Sequence, residues 1–518
     1  MKSHLLILLL LTVLLRGVMF ISYPMGGQGE IDGFHRYAIS EILAGNLQIG
    51  NLRYSPGYPL FISPFVALSK AFGRLDDRIV LLIQIAFSSR IPFLLYDILR
   101  TRHSPRAAFF VGLISLMDPL GLQWSHFSLP VWLAATCLVF SSWLLHYAEH
   151  HIRSRRRGGT YLVCSAGLVS GLGVLGRWIF AILVVGIVSL LWFGWIKPKG
   201  ERIRQIGVFS ISSLMAVLLV HFTVQVPVTG VWELSSVLGL NLMETITWSG
   251  LKIDAAHGAR SKHLLHLSRL EPLPNSSHPY DEPNGIWDLW QESGPWASLE
   301  ERETFLNQQA TGPFPDLSQG KIHENTFWLI YYLGPVEYNR LLVDVFIESV
   351  SHQFWAWLRN IPQHSLNLLL PPLSMDSGFP NYTLPRADLI EYNQNSGMFG
   401  FVRAVRHATH FYTGQWVWRP GIEIFSRLWA PLNALRFLVF PALVWALFTR
   451  HRVYTAIGFL LLLYVFVLGA IDYPEQRIYA IVYPLGPVLV GGFLVTLWER
   501  AQPSWQRLRK ALAATRPD

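Results

Sequence analysis

Apolar runs of membrane-crossing length recur along this chain, separated by short polar and basic stretches. Runs of roughly 18–22 apolar residues are long enough to cross a bilayer. Such runs fall near 4–23, 79–99, 107–125, 127–147, 160–177, 179–196, 205–226, 424–449, 453–471 and 478–498. They predict an all-α polytopic membrane protein with about 10 (10–12) transmembrane helices. The first run, Leu5 to Ile21, is interrupted by Arg16 and lacks a small-residue cleavage site, so it is expected to stay as a span. The apolar stretch from Pro56 to Phe72 opens with Pro56, Gly57 and Pro59 and is expected to be re-entrant or interfacial. Between 227 and 423 the pattern becomes polar, proline-punctuated and Trp-rich. There Tyr338 to Leu370 places Phe346, Val350, Phe354, Trp357 and Leu358 on one helical face, which predicts an amphipathic helix on the membrane surface. The expected division is a transmembrane module over 1–226 with its first external loop at 24–78, an external insert over 227–423, transmembrane helices over 424–499, and a basic tail over 500–518.

Composition narrows the class. Only 14% of the residues are charged and 51% are hydrophobic, against about 25% charged in ordinary soluble domains. The net charge of +9 could suggest nucleic acid, but the positive residues sit in short clusters after alternate spans. Arg100, Arg102 and Arg106 form one, and Arg153, Arg155, Arg156 and Arg157 another. Lys197, Lys199, Arg202 and Arg204 follow the sixth span, Arg450 and Arg452 the eighth, and Arg500, Arg507, Arg509 and Lys510 the last. Every cluster falls on one side, which places both termini in the cytoplasm and the first loop and insert outside. Nucleic acid is excluded by that arrangement. Cys137 and Cys164 lie in apolar runs and define no disulfide framework or metal motif.

Three stretches carry candidate chemistry. In the first loop, Asp32 precedes a short amphipathic run. It can be a helix N-cap paired with Arg36, a carboxylate facing a membrane-bounded site, or both. Glu30 and Glu41 are the other acids there. Arg177 ends the glycine-rich span GLVSGLGVLGR on the external side, where a cation is disfavoured unless it has an anion to bind. DYPEQRIYAIVYPLGP, Asp472 to Pro487, sets Glu475 and Arg477 at the edge of the last span, ahead of Tyr479, Tyr483 and Pro484. An aromatic belt with an interfacial ion pair would look the same. Asp118 before Pro119 reads as a helix-end acid. His257, His263 and His266, or His407 and His410, offer only a weak metal pattern without carboxylates, so no metal and no cofactor is expected.

These residues resemble the GT-C glycosyltransferases, the group that includes protein O-mannosyltransferases and aminoarabinose transferases. The resemblance covers the N-terminal half and the last span. It rests on Asp32, Tyr37 and SEILAGN, on YSPGYPLF with Tyr58, on GLVSGLGVLGR, and on Glu475, Arg477, Tyr479 and Pro484. It implies a cell-envelope enzyme of the bacterial plasma membrane that takes a sugar from a polyprenyl-phosphate donor. The acceptor would be a protein, lipid or glycan, transferred to on the external face with inversion. Asp32 would be the base, with Glu30 as the alternative, and Arg177 and Arg477 the phosphate clamp. Glu475, Tyr37, Tyr58 and Tyr479 would complete the substrate site. The rival readings are a transporter or flippase, which usually carries paired charges at mid-membrane, and a ligase of lipid-linked glycans.

Overall fold

The computed structural model describes residues 2–22, 57–71, 78–101, 103–118, 121–122, 125, 130–154, 158–192, 199–226, 238–270, 298–314, 317, 326, 329–369, 435–449, 451–471 and 480–514. Among them every regular element is helical. The N-terminal half contains α1 (Lys2–Ser22), α2 (Gly57–Ala71), α3 (Arg78–Ser88), α4 (Ile91–Arg100), α5 (Pro105–Leu116), α6 (Val131–Arg153), α7 (Gly158–Gly176), α8 (Ala181–Leu190) and α9 (Lys199–Val220). Six stretches are long and apolar enough to cross a membrane: Ser3–Phe20, Val80–Arg100, Val131–Arg153, Gly158–Gly176, Glu201–Val224 and Arg452–Ile471. The chain is therefore an all-α, multi-pass membrane protein.

Three of the remaining expected spans, 107–125, 179–196 and 424–449, hold shorter helices among the described residues, while 478–498 falls on the helix Leu485–Ala514, 30 residues long. The helix expected over 107–125 ends at Leu116, because Asp118 precedes Pro119 and a residue before proline is driven out of the helical region. Residues 178–190 form a 3-10 turn, Trp178–Phe180, followed by α8. The stretch α2, with Pro64 inside it, has 15 residues. At 1.5 Å per residue that is about 22 Å, short of the ~30 Å hydrocarbon core.

Side-chain size explains how the bundle packs. On α1 the buried residues are Leu8, Thr12, Arg16 and Met19, one stripe at helical spacing, while Leu6, Leu10, Val13 and Leu14 are exposed as lipid-facing residues would be. The central helix is α6, whose Ser141 Oγ donates to Ala166 O (3.0 Å) and meets Ser170 Oγ (2.8 Å) on α7. The other side of α7 lies against α9. A Cβ at Gly171 would stand 2.5 Å from the carbonyl oxygen of Ser213, and one at Gly167 equally close to that of Phe209. This Gly-x-x-x-Gly pair lets two helix backbones approach, as small residues do in membranes.

The insert has its own core. Its helices are α10 (Leu238–Trp248), α11 (Ala259–Leu267), α12 (Leu299–Gln309), α13 (Leu329–Leu333), α14 (Pro335–His352) and α15 (Phe354–Leu369). They bury Met243, Ile246, Leu264, Leu306, Leu342 and Val345 together. Glu348 of α14 caps α11 by accepting from Ser261 N (2.7 Å) and Arg260 N (3.1 Å). Burial pushes its carboxyl upward, and those backbone donors outweigh it and hold it below the usual range.

The amphipathic segment over 338–370 is two helices, broken at Gln353, whose φ of −118° and ψ of 29° end α14. The C-terminal helices are α16 (Val439–Phe448), α17 (Arg452–Ile471) and α18 (Leu485–Ala514). Helix α15 runs antiparallel to α17. Trp357 Nε1 donates to Ala470 O (3.1 Å) and Ser365 Oγ to Val465 O (3.3 Å). Its last residues, Leu368 and Leu369, join the core of the bundle.

Candidate functional site

The bundle has two ends with different chemistry. At one end, α4, α6, α7, α9 and α17 meet near their basic clusters. Thr101 Oγ1 bonds His146 Nε2 (2.8 Å), Gln205 Nε2 donates to Thr160 Oγ1 (3.1 Å), and His103 stacks on His451 with centroids 4.3 Å apart. At the opposite end lie the described parts of two stretches that carry the resemblance, the start of α2 and the end of α7.

There, Gly57, the first residue of α2, lies against the last turn of α7. A Cβ at Gly57 would sit 2.5 Å from the carbonyl carbon and oxygen of Leu175, so only glycine permits this contact. Two residues beyond, Arg177 leaves the helix with extended backbone (φ −155°, ψ 117°) and is half-buried. Its N–H still donates to Gly173 O (2.9 Å), and its own carbonyl accepts from Phe180 N (2.9 Å). Gly176 faces Pro130 and Leu133 at the start of α6. The start of α2 and the end of α7, over a hundred residues apart in the chain, are thus neighbours.

Tyr58 does not present an open hydroxyl. It is fully buried, its ring edge-on to Trp132 with centroids 6.3 Å apart. Its hydroxyl donates to Gln84 Oε1 (2.7 Å), and Gln84 Nε2 donates to Ser125 O (3.1 Å). Ser125 Oγ in turn donates to Leu122 O (2.8 Å) and accepts from Arg16 Nη1 (2.6 Å). Four segments are tied by this buried chain of bonds, and Tyr58 fixes the start of α2 within it. Asp118 behaves as a helix-end acid: its Oδ1 accepts from Gly121 N (3.1 Å) and starts the next turn. Tyr483, at the start of the last helix, presses its ring against Gly121. A Cβ there would lie 2.5 Å from the ring.

Asp32, Glu30 and Tyr37 in the first loop, and Glu475, Arg477 and Tyr479 before α18, lie outside the described residues. Of the sequence-derived site residues, the structure therefore places Arg177 and Tyr58, both at the end of the bundle where Tyr483 meets Gly121. Sequence reasoning missed Arg16, Gln84 and Ser125 as a connected set. A signal was present: Leu8, Thr12 and Arg16 repeat every four residues, which puts the charge on the inner face of α1.

Among the described residues no group of three or more His, Cys, Asp or Glu is arranged to hold a metal ion. His257 Nδ1 accepts from Asp254 N (3.3 Å) and its ring stacks on His352. Burial lowers the pKa of His263, with Glu303 opposing the shift. His407 and His410 lie outside the described residues.

No family model matches the chain, and no curated protein does. Solved structures do. The chain is similar to archaeal oligosaccharyltransferase AglB from Archaeoglobus fulgidus in complex with an inhibitory peptide and a dolichol-phosphate. Identity is 12%, covering 100% of this chain and 52% of that chain, with a TM-score of 0.42. It is also similar to ArnT from Cupriavidus metallidurans bound to undecaprenyl phosphate, at 13% identity over 95% of this chain and 78% of that chain, with a TM-score of 0.36. The chain spans about half the length of the AglB chain.

Proposed function

We propose that this chain is a membrane glycosyltransferase that moves a sugar, hexose or pentose, from a polyprenyl-phosphate donor to an acceptor. The reaction takes place at the bundle end where Gly57, Arg177 and Tyr483 lie. The observation that carries the reading is the contact between Gly57 and Leu175, which joins two stretches of the GT-C pattern and sets Arg177 beside them. Tyr483 against Gly121 adds the last helix to the same end.

The chemistry needs few groups. Asp32, or Glu30 in its place, takes the proton of the acceptor hydroxyl as its oxygen attacks the anomeric carbon. The carbon–oxygen bond to the phosphate breaks, and polyprenyl phosphate leaves with the electron pair. One displacement inverts the anomeric centre. Arg177 and Arg477 hold the charge that grows on the departing phosphate. Glu475, Tyr37 and Tyr479 border the sugar and lipid, and Tyr58 acts from behind by fixing the start of α2. No general acid and no metal is required, because phosphate leaves without protonation. In this scheme the protein lies in a bacterial plasma membrane with both termini cytoplasmic and its site outside.

The test is mass spectrometry of cell-envelope glycans with and without the gene, followed by transfer in isolated membranes from a polyprenyl-phosphate sugar pool. Loss of one glycan with the gene, and its return with a plasmid copy, is expected. An unchanged envelope together with transport of an amphiphile would favour the flippase reading.

A further inference from the structure

Arg16 is a buried charge in the bundle that the scheme above does not use. It sits on the inner stripe of α1, 4% exposed. Nη1 makes both of its hydrogen bonds, to Ser125 Oγ (2.6 Å) and Gly121 O (3.3 Å). Nε is buried without a partner. Among the described residues no carboxylate lies within ion-pair distance of the guanidinium, and the ionisable groups whose fields reach it are Tyr483 and Asp118. Asp118 directs Oδ1 at Gly121 N instead.

A buried cation without a counter-ion is costly, and inside a membrane protein such charges mark ligand paths. The position is also specific. Arg16 hangs on the same two residues, Gly121 and Ser125, that carry Tyr483 and the Gln84–Tyr58 chain. The edge left without bonds is Nε with Nη2, whose two N–H groups lie parallel and match two oxygens of one phosphate. A carbonyl or a lone hydroxyl offers one oxygen between them, whereas a phosphate offers each its own.

We infer that Arg16 is a phosphate-binding residue of this end of the bundle, taking two oxygens of a phosphate on its Nε–Nη2 edge. The inference rests on the proposed function for the kind of phosphate it meets, that of a prenyl lipid. A free phosphate has the same oxygens, and the test separates the two sources.

The test uses the purified full-length protein in nanodiscs with farnesyl phosphate as the probe, farnesol as the neutral control and inorganic phosphate as competitor. Wild type is expected to gain melting temperature with farnesyl phosphate and none with farnesol. Arg16→Met is expected to weaken farnesyl phosphate binding at least tenfold, and Arg16→Lys less, since lysine keeps the charge but loses the fork. Asp118→Asn is expected to bind as tightly as wild type or more tightly, because a nearby negative charge is removed. Competition by inorganic phosphate at equal concentration would assign the site to free phosphate; no competition assigns it to the lipid, and either supports the anion site. Should Arg16→Met fail to accumulate, Arg16→Lys and Arg16→Gln carry the comparison, and equal binding by the two would overturn the inference. Wild-type affinity in Arg16→Met would overturn it, as would an Asp118→Asn protein that binds as weakly as Arg16→Met. If wild type binds no farnesyl phosphate at all, the lipid-linked donor falls as well, whereas binding by wild type and Arg16→Met alike removes only the role of Arg16.

Discussion

The two ends of the bundle handle charge in opposite ways. At the basic end each described cation near a carboxylate is matched locally. Asp97 accepts from Arg100 Nε (2.6 Å), Tyr147 OH (2.6 Å) and Trp143 Nε1 (2.8 Å). Glu149 pairs with Arg153 and Glu201 with Arg204, each within one helical turn. At the other end Arg16 is buried, with no carboxylate within ion-pair distance among the described residues, and glycines replace side chains where backbone or rings close in. Local pairs of that kind settle a helix and need no partner from outside. A buried unpaired cation among tight glycine contacts leaves a charge for something else to match. The first end is held by its own pairs; the second, on the proposal above, receives a ligand.

That contrast can be broken by substitution. Short of removing the base itself, the largest effect is expected from Arg177→Ala and Arg477→Ala. A charge-assisted contact to phosphate is worth roughly 1.5–3 kcal/mol, so transfer rates in membranes should fall about 10- to 100-fold with the melting temperature held. Lysine should restore part of the loss. Full transfer by both alanine variants would remove the clamp from the receiving end.

Next comes Gly57→Ala. The new methyl meets the Leu175 backbone at 2.5 Å, and overpacking of this kind costs typically about 1–3 kcal/mol. Melting temperature and transfer should fall together. Gly207→Ala is the control, since nothing lies within 4 Å of its Cβ position in the interior of α9. It should be neutral or gain up to about 1 kcal/mol from helix propensity. Equal tolerance at both positions would mean that the Gly57 contact is loose.

The smallest effect on activity is expected at the basic end. Asp97→Asn weakens the half-buried bonds from Arg100, Tyr147 and Trp143 and should cost roughly 1–2 kcal/mol of stability. Transfer per folded molecule should stay at the wild-type rate. A loss of transfer at preserved stability would make this end part of the reaction and erase the contrast.

The helical class was legible because apolar length is a local signal. So were Val131–Arg153, Gly158–Gly176 and Arg452–Ile471, which fall close to their expected positions. The span over 107–125 was overestimated because hydropathy continues past Leu116 while Asp118-Pro119 ends the backbone pattern. The amphipathic face over 338–370 was visible, but the break at Gln353 was not, since no Gly or Pro marks it. Arg177 was flagged from its place after a glycine-rich span, yet those glycines serve α9 at Gly167 and Gly171 as much as the site. Arg16, Gln84 and Ser125 escaped because their bonds join residues 41 to 109 positions apart. No local pattern encodes which segment a buried polar side chain will meet.

The reading of the receiving end as a transferase site stands or falls on one acid. Asp32→Asn keeps the size and a capping oxygen but cannot take a proton. The measurement is sugar transfer from a polyprenyl-phosphate sugar pool, in membranes holding matched amounts of wild type, Asp32→Asn and Glu30→Gln, with donor binding followed alongside. General-base catalysis contributes typically about 10²–10⁴-fold, so Asp32→Asn should lose at least that lower factor while donor binding stays near wild type and Glu30→Gln stays active. A stable Asp32→Asn protein that transfers sugar at the wild-type rate would contradict it.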